Sequence, residues 1–346
     1  MREGADSPLA EFIRAEIKRR GAQSFAWFME QALYHPEHGY YSSDRAAIGR
    51  RGDYFTNVSV GPLFGELFAA QFAEIWERLG KLDNFIIVEQ GTHHGEFVRD
   101  VLESARKRFP EFFSALCYQI VEPFSALQDR QSEGLQPFRD RVLWKKSLDE
   151  LDAFVGIHFS NELLDAMPIN LRGKLVDVDG GKFVFVEGAT GTPTNQAMLD
   201  WIDCLSTKLQ RGFVIAVDYG FSRAEFREVL QVRAKHRTLD SPFEEIGEAD
   251  ITTHVNWTDL AERAEANGLR LAGFTDQHHF LTGIISVSPA WFEKADAQTK
   301  RALQTLLHPE MLGRAFQVLA LTKDADFFAP LCGFKFARNA RATLGL

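Results

Sequence analysis

The sequence predicts a doubly wound, Rossmann-like α/β fold, and three observations predict it. From residue 84 onward, short continuous apolar runs alternate with helical patterns. The first of these runs ends in a glycine-bearing loop that opens a helix. The composition, 45% hydrophobic and 25% charged residues, is that of an ordinary globular protein rather than a disordered one. Continuous apolar strands separated by helices indicate a parallel sheet covered on both faces.

Each element follows in order. Residues 8–32 carry Leu9, Phe12, Ile13 and Ile17, then Phe25, Phe28, Met29 and Leu33, and read as amphipathic helix. The polar, glycine-bearing stretch from His35 to Asn57 reads as a long ordered loop, of the kind that often serves as a lid or binding segment. Residues 62–80 read as helix ending at Gly80, a suitable C-cap. Phe85–Val88, Leu116–Val121, Val142–Trp144, Val155–Phe159 and Phe213–Val217 are five strands, with helices predicted from Phe97 to Lys107 and from Ser125 to Glu133. Between the fourth and fifth strands, two apolar runs flank Asp179-Gly180-Gly181, the signal of a β-hairpin insertion near 171–187. A polar stretch follows residue 220 as far as about Thr253, then helix from Trp257 to Asn267 and strand from Leu269 to Phe274. Helices in 290–314 and a strand from Phe316 to Leu321 complete seven strands. The chain divides into an N-terminal helical and loop segment (1–82), a core (83–220) and a C-terminal part that completes the sheet (221–346).

The bulk numbers exclude several classes. Net charge is −9, so nothing draws the whole chain to nucleic acid or to an anionic membrane. Arg45, Arg50 and Arg51 could form a local basic patch, but a solvated loop explains them as well. Thirty phenylalanines point first to an aromatic core. Cys117, Cys204 and Cys332 are odd in number and far apart, which supports no disulfide framework or zinc knuckle and suits a reducing, cytoplasmic setting. No run reaches the length of a membrane span, and the first residues match no secretory or transit signal.

Chemistry concentrates at three places. In Val88-Glu89-Gln90-Gly91-Thr92-His93-His94-Gly95-Glu96, glycines permit a sharp turn and close ligand approach, and the following helix presents free N–H groups. The dinucleotide fingerprint G-x-G-x-x-G is absent, and an ordinary strand-to-helix turn would look the same. Glu122 ends the second strand about thirty residues later, where an acidic residue can accept ribose hydroxyls. Ser160-Asn161-Glu162-Leu163-Leu164-Asp165-Ala166-Met167-Pro168 follows the fourth strand, at the carboxyl edge where ligands bind. There an amide and a carboxylate could orient an amine, guanidinium or hydroxyl, although Asn161 could equally cap a helix. His93-His94 and His278-His279 are set aside as metal sites, because chain neighbours project apart and no H-E-x-x-H spacing occurs. No G-x-S-x-G elbow or P-loop is present.

These residues resemble the MidA-type methyltransferases, a family that includes a mitochondrial complex I assembly methyltransferase. The resemblance runs through Leu33-Tyr34-His35-Pro36 to Gly39-Tyr40-Tyr41, Ile48-Gly49, Gly52-Asp53-Tyr54-Phe55-Thr56 and Pro62-Leu63-Phe64-Gly65-Glu66. It continues in Asn161-Glu162-Leu163-Leu164-Asp165-Ala166-Met167-Pro168, Val217-Asp218-Tyr219-Gly220 and Asp250-Ile251-Thr252-Thr253-His254-Val255. The resemblance implies a seven-stranded methyltransferase core with an N-terminal helical segment and α/β insertions, and S-adenosylmethionine as cofactor. It implies that Glu89, Gly91, Gly95 and Glu122 line the cofactor, that Gly52, Asp53 and Thr56 close over it, and that Asn161, Glu162 and Asp165 face the methyl acceptor. The family's mitochondrial member is understood to dimethylate an arginine on a complex I subunit, so a protein arginine is the implied acceptor. The sequence departs from the family's Glu-x-Gly-x-Gly-x-Gly loop in carrying His93 at the middle glycine, and from its Ala-Pro-Glu segment at Asn57–Gly61. Two other readings therefore stay open: a small-molecule acceptor, with His254 or His236 as base for a hydroxyl, and a non-catalytic assembly protein with an altered cofactor loop. The expected partners are the protein or small-molecule acceptor and, at most, a second copy in a homodimer, with no nucleic acid, no membrane span and no metal.

Overall fold

Seven strands form the main path of the large sheet: β1 (Phe85–Gln90), β2 (Leu116–Val121), β3 (Val142–Lys145), β4 (Phe154–Asn161), β5 (Leu209–Phe221), β6 (Arg270–Asp276) and β7 (Phe316–Lys323). The computed structural model that shows them describes residues 7–42, 56–188, 194–225, 227, 229–235, 237–287, 295–325 and 329–346. The spatial order is β6-β7-β5-β4-β1-β2-β3, and Val255–Asn256 adds a short eighth strand beside the end of β5. β1 to β5 pair in parallel, and β7 runs antiparallel between β5 and β6. The strand order therefore reverses between β1 and β4, which opens a crevice at their carboxyl ends. Gly91 follows β1 and Asn161 ends β4, so the glycine loop and the Asn161-Glu162 pair flank that crevice.

The sheet belongs to a unit formed by Thr56–Leu163, Trp201–Phe226 and Val255–Leu346. Its core explains much of the phenylalanine content. Phe64, Phe68 and Phe72 repeat every fourth residue along the helix Leu63–Arg78 and meet Phe97 and Phe159, which stack with centroids 4.5 Å apart. That spacing puts all three rings on one helix face.

The central strands come close enough to require glycine. Gly156 in β4 has φ +149, and a Cβ there would lie 1.9 Å from the Ile86 carbonyl oxygen of β1. Gly212 in β5 repeats the arrangement against the Gly156 carbonyl, also at 1.9 Å. Gly156→Ala should therefore cost more than about 3 kcal/mol of stability, because the overlap is with backbone rather than with a movable side chain. Urea unfolding checks this, and an unchanged midpoint would refute it.

A smaller unit comprises Met1–Phe55, Leu164–Asp200 and Arg227–His254. These limits differ from the three segments read from the sequence: the helix Leu63–Arg78 lies in the sheet unit, and the hairpin Lys174–Asp179/Lys182–Glu187 in the smaller one. The single helix expected over 8–32 is two, Pro8–Arg20 and Phe25–Tyr34. Gly21 breaks it at φ +83, Gln23–Ser24 pairs with the hairpin strand, and the Ser24 hydroxyl caps the second helix by accepting from the Trp27 amide. The polar stretch after residue 220 contains a three-stranded antiparallel sheet of Leu230–Ala234, Arg237–Thr238 and Asp250–Thr253. Of the helices expected over 290–314, the described residues show one at Ala297–Leu307, followed by a wider helical turn at Pro309–Gly313, while residues 290–294 lie outside the described residues. Within the smaller unit two family-like motifs meet, since the Tyr41 hydroxyl donates to Asp250 at 2.8 Å.

Candidate functional site

β1 carries Glu89 to the carboxyl edge of the sheet, opposite Ile120 of β2 and Phe159 of β4. Its carboxylate is 4% exposed and accepts a hydrogen bond from the Tyr118 hydroxyl. Burial pushes the Glu89 carboxyl up to about 8, while the bond from Tyr118 pulls it down. The loop then turns through left-handed backbone at Gly91 (φ +83), His93 (φ +51) and Gly95 (φ +87), and the helix Glu96–Arg108 begins. His93 thus adopts the conformation for which a glycine is the ordinary choice.

At the tip of β2, Glu122 accepts from the Phe124 amide at 3.0 Å and from Gln131 Nε2 at 3.2 Å. Burial raises its carboxyl to about 7, against those bonds. Gln131 is fully buried and ties three parts together. Its Nε2 also donates to the His93 carbonyl at 2.7 Å, and its Oε1 accepts from Trp144 Nε1 at 2.9 Å. One amide so fixes the glycine loop relative to the carboxylate beside it.

Across the crevice, Asn161 Nδ2 donates to Glu162 Oε1 at 2.8 Å, and Asn161 Oδ1 accepts from Asn57 Nδ2 at 3.1 Å. Asn57 is fully buried, and its Oδ1 has no hydrogen-bond partner among the described residues. Glu162 sits at φ +53, a left-handed conformation that costs a glutamate about 1–2 kcal/mol. Two bonds hold it there: its own amide donates to the Val217 carbonyl at 2.9 Å, and the next amide, of Leu163, donates to Asp218 Oδ2 at 3.1 Å. No helix starts at Asn161, which is the last residue of β4, so its amide serves the side-chain network rather than a cap.

Of the residues singled out in the sequence, Thr56, Glu89, Gly91, Gly95, Glu122, Asn161 and Glu162 all belong to the sheet unit. Thr56 is buried, precedes Asn57 and shares a hydrogen bond with Ser59. Gly52 and Asp53 lie outside the described residues, as do His236 and the arginines 45, 50 and 51. Asp165 is grouped with the smaller unit, where it is 6% exposed and its carbonyl accepts from the Thr253 amide at 2.8 Å. His254 is half-buried in that unit, and burial lowers its pKa. Sequence reasoning missed Gln131, Asn57 and the clamping role of Asp218. The expectation that the His93 and His94 side chains project apart is not met. The left-handed turn at His93 brings the rings face to face, with centroids 3.8 Å apart and planes at 29°. Among the described residues, no helix is long and apolar enough to cross a membrane.

The family Methyltransf_28, of S-adenosyl-L-methionine-dependent methyltransferases, matches residues 67–178 and 186–275. A protein arginine methyltransferase NDUFAF7 homolog, mitochondrial, from Drosophila melanogaster is 25% identical over 81% of this chain and 75% of its own length. The Homo sapiens protein arginine methyltransferase NDUFAF7, mitochondrial, is 25% identical over 98% of this chain and 88% of its own. A crystal structure from Burkholderia thailandensis, described as a COG1565 superfamily member and likely methyl transferase bound to S-adenosyl-homocysteine, superposes with a TM-score of 0.85 at 26% identity, covering 98% of this chain and 99% of that one. The match extends over more than half of the chain and includes the glycine loop, Glu122 and the Asn161-Glu162 turn, so this protein belongs to the Methyltransf_28 family of MidA type and is an S-adenosylmethionine-dependent methyltransferase.

Proposed function

We propose that the chain methylates an arginine side chain on a protein. The observation that carries the proposal is the Asn161–Glu162 pair, held in a strained turn across the switch-point crevice from the glycine loop. The names of the relatives, protein arginine methyltransferases, support the choice of acceptor.

The residues of the loop suit the cofactor. Gly91 and Gly95 put no Cβ at two of the turn's three left-handed positions, the helix Glu96–Arg108 presents its N-terminal amides behind them, and the Glu122 carboxylate stands at the tip of the next strand. We assign the ribose hydroxyls to Glu122, the methionine end to the Gly91–Gly95 backbone, and a supporting role to Glu89. When bound, the cofactor supplies a methyl group on a positively charged sulfur. The protein then has to hold one acceptor nitrogen in line with that methyl and keep water away. Glu162 does this for a guanidinium by pairing with it, which localises charge on the far nitrogens and aims the remaining one. Asn161, fixed by Asn57, keeps the Glu162 carboxylate turned toward the acceptor. On the family resemblance alone, we also assign Asp165 to the acceptor and Gly52, Asp53 and Thr56 to the cofactor. Three unpaired thiols suit a reducing compartment such as the cytoplasm.

Two measurements test this reading. Calorimetric titration with S-adenosylhomocysteine should show micromolar binding to the folded protein, and its absence would overturn the cofactor assignment. Mass spectrometry of arginine peptides incubated with enzyme and S-adenosylmethionine should show added methyl groups. Transfer only to small molecules would overturn the acceptor. In the same titration, His93→Gly should bind S-adenosylhomocysteine more tightly than the parent. The substitution removes a side chain from the loop and restores the residue that φ +51 favours. A sharp fall in affinity would instead make the His93 side chain part of the binding surface.

A further inference from the structure

We propose that the cofactor loop also binds a divalent transition-metal cation of the zinc type, through His93, His94 and Glu96, and that the cation and the cofactor exclude one another. One ligand atom from each of the three residues lies within 4.8 Å of the other two, and all three side chains are half-buried. Imidazole nitrogens and a carboxylate oxygen are the donor set that zinc, cobalt and nickel accept. Consecutive histidines in an extended strand would point to opposite faces. Here the left-handed backbone at His93 reverses that, and stacks the two rings over the start of the helix that carries Glu96.

Binding needs a local rearrangement. Stacked rings hold their in-plane lone pairs in separate, roughly parallel planes, so one ring has to rotate before both meet a common ion at about 2.0–2.1 Å. Arg130 Nη1 lies 3.3 Å from His94 Nε2, so His94 either coordinates through Nδ1 or displaces the guanidinium. The positive end of the helix Glu96–Arg108 also opposes a cation. The Glu96 carboxylate offsets part of this, and Glu89 lies near enough to interact with it. These opposing charges set the expected affinity at micromolar rather than nanomolar. Three protein ligands leave the remaining positions to water, as in open zinc sites.

The exclusion rests on the cofactor assignment made above. An ion held at His93 and His94 occupies the loop over which the methionine end would lie. Linkage then requires each ligand to weaken the other by the same factor. A glycine at position 93 would offer no such ligand, so the property depends on the histidine in this loop.

The test uses the tag-free, full-length protein and Co2+ alone, whose visible absorption reports coordination. One equivalent of cobalt should bind with micromolar affinity and a visible band. His93→Gly and His94→Gln should each weaken binding at least tenfold, with thermal melts confirming that both variants fold. A His278→Ala, His279→Ala double variant should leave the band unchanged. No band at stoichiometric cobalt, or a band that persists in His93→Gly and His94→Gln, overturns the site. S-adenosylhomocysteine should then bleach the band. Undiminished cobalt and S-adenosylhomocysteine binding together overturns the exclusion. Failure of S-adenosylhomocysteine to bind the metal-free protein overturns the cofactor assignment, while the cobalt spectrum still decides the site.

Discussion

Glu162→Gln should lower kcat for methyl transfer by at least about a hundredfold and leave the affinity for S-adenosylhomocysteine nearly unchanged. The substitution keeps the shape of the side chain and an oxygen for Asn161 to bond, and removes only the charge. A guanidinium acceptor loses its charge-assisted partner and, with it, the alignment of the attacking nitrogen. The strained backbone at φ +53 supports a functional reading. A glutamate in a left-handed turn persists only where its surroundings impose it, and here the Val217 carbonyl and the Asp218 carboxylate do so. Steady-state kinetics and calorimetry on the same preparation decide the matter. An unchanged kcat would remove Glu162 from the reaction. A loss that appeared only as weaker cofactor binding would move it to the cofactor side of the crevice.

The parts of this site that sequence could reveal are those written into backbone chemistry. β1 to β5 announce themselves because buried parallel strands must be apolar on both faces. The loop announces itself through Gly91 and Gly95, whose φ values of +83 and +87 most residues adopt only at a cost. Glu122 and Asn161 stand out as polar residues at the ends of apolar strands. Gln131 could not be singled out, because a glutamine within the helix Ser125–Gly134 looks like any exposed polar residue until the helix is docked. Asn57 was visible only as a departure from a family pattern, with no indication that it would reach Asn161 across 104 positions of sequence. The strand Leu230–Ala234 does alternate, with Val232 and Ala234 buried, but five residues with Gln231 and Arg233 between them carry too weak a period to outweigh the polar surroundings. The stacking of His93 on His94 depends on a single dihedral angle, which composition and spacing do not encode.

Glu89→Gln should abolish a large alkaline loss of stability in the cofactor-free protein. The folded protein holds the Glu89 proton up to about pH 8, whereas an unfolded glutamate releases it near the ordinary value of 4.5. Between those two values the unfolded chain binds fewer protons than the folded one, so stability falls as pH rises, by about 1.4 kcal/mol per pH unit. The stabilisation is complete below pH 4.5 and is lost by about pH 8, an upper limit of roughly 5 kcal/mol for this group. Glutamine presents the same acceptor oxygen to Tyr118 and has no proton to lose, so the variant should match the parent near pH 5 and exceed it increasingly toward pH 8. Glu122, raised to about 7, contributes a smaller total loss of the same sign that the variant keeps. His158 supplies an internal control. It is fully buried in β4, neither ring nitrogen has a hydrogen-bond partner among the described residues, and burial holds its pKa down to about 3. An unfolded histidine takes up a proton near 6.5 that the folded one refuses, so this group removes stability as pH falls from 6.5 to about 3. Parent and variant should share that acid arm and diverge only on the alkaline side. Urea unfolding at pH 5 and pH 8 measures both, and parallel pH profiles would show that Glu89 is already ionised in the folded protein. In the intact protein the raised value also has a use: a cationic cofactor placed beside Glu89 favours its carboxylate, so binding near pH 7 should release a proton to solvent. Calorimetry of S-adenosylmethionine binding in two buffers of different ionisation enthalpy reads that proton directly, and its absence in the Glu89→Gln variant assigns it to this carboxyl.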